Sequence, residues 1–247
     1  TSIGDEAFCD CSSLKKVIIE DGSTTLSLGY NYSGYVGRGI GLFYDCPLEE
    51  VYLGRDLSYD SHFSYGYSPF YNKTKLTALT IGDKVTSIRE NAFKECNNLT
   101  AITIPASVTL IGESAFSTPD RVIWLANTPP TGYTYVKGRI NYAPNDKYST
   151  LSNVKIYPYL GSMFEVGGLK YVPVNPTERT CDAIDCAYNN AAEAIMIGEV
   201  VSFKGTAMTV KAVMPFTFRT ISHTSSFTPV MVEISCRTPS ILMLVTA

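Results

Sequence analysis

A phrase recurs in this chain at a nearly fixed interval, and no other feature restricts the fold as much. Ser87-Ile88-Arg89-Glu90-Asn91-Ala92-Phe93 returns 23 residues later as Leu110-Ile111-Gly112-Glu113-Ser114-Ala115-Phe116. The chain opens on the same phrase, Ser2-Ile3-Gly4-Asp5-Glu6-Ala7-Phe8, and partial copies surround Phe43 and Phe70. Three residues after the Phe stands Cys11, Cys46 or Cys96. Five or six residues after it stands Leu14, Leu48, Leu76 or Leu99. An alternating apolar pair follows: Val17 and Ile19, Val51 and Leu53, Leu79 and Ile81, Ile102 and Ile104. That alternation reads as a short strand with one buried face.

One such unit cannot bury its own apolar face, whereas stacked copies cover one another. Residues 1–130 are therefore expected to form a β-rich solenoid of about five turns, with the Phe, Leu and Ile positions as core. Trp124, in an apolar strand, belongs to the same core.

The combined motif, SIG-x-x-AF-x-x-C-x-x-L-x-x-V-x-I with Ile104-Pro105 closing a strand, resembles the BspA-like leucine-rich repeats. The copies depart from it in places. The Phe43 copy lacks the Ile-Gly, the Phe70 copy has Lys73 at the Cys position, and the Phe116 copy has Pro119 there. The resemblance implies a mainly β fold: a leucine-rich-repeat solenoid ending near Asn127-Thr128-Pro129-Pro130. It also implies a secreted or cell-surface protein, adhesin-like, whose partner is a protein of the host matrix or of another bacterial surface.

The repeat spacing is uneven. Phe8 to Phe43 is 35 residues and Phe43 to Phe70 is 27, so the excess must leave the array as loops. These fall at 28–40 and 58–68, and nine of the 17 tyrosines lie between Tyr30 and Tyr71. Tyr mixed with Ser, Gly and Asn is the composition of adaptable binding surfaces. Tyr30, Tyr32, Tyr35, Tyr59, Tyr65 and Tyr67 are the candidate ligand-binding residues, for a protein or alternatively for a glycan. The competing reading is that both loops pack on the flank of the array and bind nothing.

Residues 131–218 read as an irregular connection followed by a β-rich segment. Gly167-Gly168 between two alternating runs signals a hairpin, and apolar runs recur at 194–197, 199–203 and 207–213. By resemblance this is the small hairpin-containing linker domain that leads into a further repeat ending at Phe218, with Thr217 in place of Ala. Cys181 and Cys186 form a local disulfide or stay as free thiols; both alternatives are open. Soft ligands beyond these two are missing, so no metal site is expected.

Residues 219–247 fit no frame of the repeat. Read one base earlier, permitted codons across Ile234 to Ser240 spell Ile-Leu-Gln-Asn-Ala-Phe, and the hidden Phe falls 22 residues after Phe218. The tail is accordingly expected to be a frameshifted repeat, which would leave His223 and Cys236 incidental.

Twenty Lys and Arg against 23 Asp and Glu leave a net charge of −3, which argues against a nucleic-acid binder. No apolar run reaches the roughly 18 residues of a membrane span. Neither a phosphate-binding loop, nor Gly-x-Ser-x-Gly, nor His-Glu-x-x-His occurs. His62 beside Asp60 and Ser61 does not make a triad, whose members meet through the fold. The expectation is a non-enzymatic interaction module with no cofactor.

Overall fold

The computed structural model describes residues 1–33, 38–60, 68–186 and 200–213, with backbone alone at 32, 33, 38–40, 185, 186 and 213. These residues are mainly β, with only three short 3₁₀ turns for helix. The chain divides into two compact units, Thr1–Ile156 and Tyr157–Ala247.

The first unit follows the repeat. Its first turn runs from β1 (Ser2–Ile3) through the Phe8 bend to β2 (Lys16–Ile19) and β3 (Leu26–Leu28). A hairpin of β4 (Tyr30–Ser33) and β5 (Arg38–Gly41) then leaves and returns before Phe43. β6 (Glu50–Leu53) and β7 (Leu57–Ser58) form the next turn. After Phe70 come β8 (Ala78–Ile81) and β9 (Ser87–Ile88), and after Phe93 come β10 (Ala101–Ile104) and β11 (Leu110–Ile111). β12 (Arg121–Trp124), β13 (Ile140–Ala143) and β14 (Val154–Ile156) complete the unit.

Equivalent strands pair in parallel, as stacked copies of one unit must. β2, β6 and β8 align Val17 with Val51 and Leu79, and Ile19 with Leu53 and Ile81. On another side of the turns, β3 lies between β1 and β7, and β9 pairs with β11. The pairs that alternation placed inward are the ones in register, and most of them are buried.

Inside the turns the five Phe rings form one column. Successive centroids lie 4.8, 5.3, 5.1 and 5.6 Å apart, and the last three pairs are tilted by only 6–10°. The chain can reverse so tightly around each ring because left-handed residues flank it. Glu6, Asn91 and Ser114 stand two places before a Phe with φ of 58°, 55° and 55°. Asp10, Asn72 and Glu95 stand two places after one with φ of 58°, 54° and 63°.

The parallel stacking does not stop at residue 130. β12, β13 and β14 continue the sheet begun by β10, so the first unit extends to Ile156. This corrects the expected boundary at residue 130 and the reading of the residues just after it as an irregular connection. The physical reason is Asn141, a polar residue in a fully buried slot. Its amide oxygen accepts from Trp124 Nε1 at 3.1 Å, and its nitrogen donates to the carbonyls of Gly138 and Ser152 at 3.1 and 2.8 Å. A satisfied amide takes a core position here and erases the apolar spacing from the sequence. Trp124 is fully buried beside it, as expected, 5.4 Å from the Tyr148 ring.

The second unit is a five-stranded sheet. β15 (Phe164–Val166) and β16 (Leu169–Asn175) are joined at Gly167-Gly168, with φ of 56° and 74°, the two positive values a tight hairpin needs. β17 (Thr180–Cys186) follows, then β18 (Val200–Phe203) and β19 (Thr206–Val213), in the spatial order β15-β16-β17-β19-β18. All neighbours are antiparallel except β17 and β19. Leu169, Tyr171, Cys181, Ala183, Val201 and Met208 form its core, with the Phe164 and Phe203 rings 4.4 Å apart. The apolar run at 194–197 and the tail at 219–247 lie outside the described residues.

Candidate functional site

The residues of β2, β6 and β8 that alternate with the buried pairs build an outer face. Ile18, Tyr52 and Thr80 align across the three strands, and Lys16, Glu50 and Ala78 form a second row. Ile18 is 59% exposed, an apolar side chain on the solvent side of the sheet. Tyr52 is held beside it by a 2.8 Å hydrogen bond from its hydroxyl to Asp21 Oδ1. Donating to that carboxylate pushes the Tyr52 phenol above its ordinary pKa.

Charges border these rows. Lys15 pairs with Glu49 at 2.9 Å and Lys16 with Glu50 at 2.8 Å. The Arg55 guanidinium donates to the carbonyls of Glu20 and Asp21 at 2.8 and 3.0 Å, fixing the bend that follows β2. Asp56 accepts from the backbone N–H groups of Thr86 and Ser87 at 2.7 and 2.9 Å, tying one turn to the next. The face is therefore a rigid surface whose side chains are spaced by the strand ladder.

A second concavity, polar and open, lies among the turns around β13 and is lined by Thr134, Lys137, Arg139, Ser152 and Asn153. Its Arg139 pairs with Asp120 at 3.4 Å.

The candidate tyrosines do not gather into one site among the described residues. Tyr59 is 7% exposed, and its hydroxyl donates to the Glu90 carbonyl at 3.1 Å. Burial raises its pKa strongly. Tyr59 is thus a core residue, carried inward where β7 ends. Tyr30 is half-buried at the start of β4, and its N–H donates to Asp5 Oδ1 at 3.1 Å. Tyr32 lies in β4 opposite Gly39, with its side chain outside the description. Tyr35, Tyr65 and Tyr67, like His62 and His223, lie outside the described residues. The first insertion, expected as a flexible loop, is a hairpin at its base.

Cys181 is a free, buried thiol. It shares the extended strand β17 with Cys186, five residues on, which separates their Cα atoms by roughly 16 Å at strand rise. A disulfide needs less than about 7 Å, so the local Cys181–Cys186 bridge is ruled out. Burial pushes the Cys181 thiol up to about 11, and the Cys96 thiol likewise to about 11. Thiols held protonated in this way are packing groups and poor nucleophiles.

Among the described residues no group of three or more His, Cys, Asp or Glu side chains could hold a metal ion. No helix among them is long and apolar enough to cross a membrane. Ile18 and Tyr52 were not among the sequence candidates. The signal for them was an apolar residue at an outward position of an otherwise regular alternation.

Parallel turns around a Phe column, with a polar and aromatic outer face, define a protein built of repeats that each touch mainly their neighbours. The family model for the BspA type leucine rich repeat region matches six copies, over residues 1–33 and 63–123. Over those residues the turns match BspA-type leucine-rich repeats. No curated protein and no solved structure matches it.

Proposed function

We propose that this chain is a non-enzymatic protein-interaction module, extracellular or on a bacterial cell surface. Its repeat unit acts as a solenoid that binds a protein partner, in the manner of an adhesin. The observation that carries this reading is the Ile18–Tyr52 pair, an exposed aliphatic and an aromatic side chain side by side on a rigid parallel sheet. Aromatic anchors ringed by polar groups are where interface energy concentrates. Leucine-rich repeats commonly serve protein binding, and their extended faces suit large partners. The sequence carries no motif for acyl, phosphoryl or metal-assisted chemistry, which favours binding over catalysis. The five-stranded unit serves as the linker between repeat arrays.

The test is a plate assay of the purified chain against matrix proteins such as fibronectin and fibrinogen, with a glycan panel beside it. Saturable protein binding that falls about tenfold in Tyr52→Ala supports the reading. Binding confined to glycans, and lost when Tyr32, Tyr35, Tyr65 and Tyr67 become Ala, overturns it in favour of the insertions.

A further inference from the structure

The polar cleft beside β13 has two walls, residues 134–139 and residues 150–153. Asn141, 1% exposed at its base, holds both of them. Its Nδ2 donates to the Gly138 carbonyl in one wall at 3.1 Å and to the Ser152 carbonyl in the other at 2.8 Å. Asn153 Nδ2 crosses back from the second wall to the Arg139 carbonyl at 3.0 Å. The hydroxyls of Tyr133 and Thr150 meet at 2.7 Å nearby. A Cβ on Gly138 would come within 2.5 Å of Val122 Cγ2, so that wall packs directly on β12. An apolar side chain at 141 would fill the core equally well but could not brace the walls. The cleft is thus fixed in shape before any ligand arrives, and such preorganisation lowers the cost of binding.

The lining states what the ligand must be. The cleft encloses about 540 Å³, inside the range of about 300–1,000 Å³ that small-ligand sites occupy. Sites of that size are ordinarily mostly apolar. This one instead presents the hydroxyls of Thr134 and Ser152, the Asn153 amide and two cations, Lys137 and Arg139. No Asp or Glu side chain lines it. Arg139 already pairs with Asp120, through Nε at 3.4 Å. Lys137 is exposed and has no ion pair or side-chain hydrogen bond among the described residues. The cleft therefore carries one positive charge without a counter-charge, ringed by hydroxyl and amide groups.

We propose that this cleft binds a sugar that carries one carboxylate, a uronic or sialic acid unit. Lys137 and Arg139 take the carboxylate. Thr134, Ser152 and Asn153 exchange hydrogen bonds with the sugar hydroxyls. A guanidinium offers planar donors that match a carboxylate, and the ammonium adds a point charge. A neutral sugar would forgo the Lys137 charge. A phosphate dianion would bring a second negative charge with no cation to meet it. Tyr52 does not line the cleft, so this site adds a second ligand and does not depend on the partner-binding reading.

The experiment is isothermal titration of the 247-residue chain with four probes: methyl glucuronide, a methyl sialoside, methyl glucoside and inorganic phosphate. At least one sugar acid should bind saturably at millimolar concentration, about tenfold or more tighter than methyl glucoside. Whichever acid binds tighter identifies the source of the carboxylate. Lys137→Gln should weaken binding of that acid by about tenfold, and Lys137→Arg should keep most of it. Lys137 is exposed and unpaired, so both variants should fold, and circular dichroism checks that they do. Tyr52→Ala should bind the acid as wild type does, which separates this site from the outer face of the β2-β6-β8 sheet. Four results would each overturn the proposal: no binding of either acid, methyl glucoside or phosphate bound as tightly, Lys137→Gln without effect, or loss of the acid in Tyr52→Ala.

Discussion

The Lys73 ammonium donates to the carbonyl of Phe43, in the slot where neighbouring turns place a thiol. Cys46 Sγ lies 3.7 Å from the Phe8 carbonyl and Cys96 Sγ lies 3.0 Å from the Phe70 carbonyl, so one bond recurs from turn to turn. Lys73 reaches the Tyr44 carbonyl as well, at 2.6 Å. It is 4% exposed, and burial lowers its pKa. The apparent break in the Cys pattern is therefore a stronger donor doing the same job at a desolvation cost.

Lys73→Ala should destabilise the repeat unit by about 3 kcal/mol, because it opens a cavity and leaves two carbonyls without a donor. Lys73→Cys restores the recurrent bond and removes a buried charge, so it should fall within about 1 kcal/mol of wild type. Urea unfolding of the three proteins measures both differences. Equal losses in the two variants would contradict this account of Lys73.

Phe93 is 1% exposed between two stacked rings, whereas Phe8 is half-buried with a ring on one side only. Phe93→Ala should cost about 3–5 kcal/mol and Phe8→Ala distinctly less. Thermal melts of the two variants give the ranking. A Phe8 loss as large as that of Phe93 would mean that the first turn is covered as fully as the inner ones.

In the second unit, Asp182 is buried and its pKa is raised by that burial, offset in part by the Tyr157 hydroxyl at 2.8 Å and the Ala212 N–H. A raised folded pKa means that the native state holds the proton more tightly than the unfolded chain. The stabilising contribution is complete below the unfolded value, about 3.9, and is lost as pH rises through the folded pKa. Asp182→Asn removes that loss and keeps an acceptor for Tyr157. The variant should be more stable than wild type at pH 7, and the gap should close towards pH 3. Denaturation curves at the two pH values check the sign.

The gene offers a prediction about the tail. The coding sequence, read one base earlier from near Arg219, should spell a further repeat with its Phe at the position of residue 240. A shifted frame that encodes no Ala-Phe phrase at that spacing removes the frameshift explanation.

The repeat unit was legible because its pattern is enforced by stacking. Val17, Val51 and Leu79 share a slot, so the same residue types recur. Gly167-Gly168 was legible for a local reason, since few other pairs accept two positive φ values. β13 was not legible: Asn141 sits where the pattern calls for an apolar side chain, and its three hydrogen bonds appear only in the folded chain. Tyr59 misled in the opposite sense, because its Tyr- and Ser-rich surroundings read as surface while its ring is carried inward. Ile18 could be placed outward by parity, but its neighbour Tyr52 is remote in sequence, and only the ladder brings the two together.

The hairpin of β4 and β5 adds residues between Phe8 and Phe43, yet the two rings stay in contact in the column, 4.8 Å apart and tilted by 32°. Growth at the flank and continuity at the axis are thus decoupled. Lineages carrying such turns can lengthen, trim or replace what they display while inheriting the same backbone support. Novelty in such a protein then arises by editing the excursions and by duplicating whole turns, with little need to rebuild the interior.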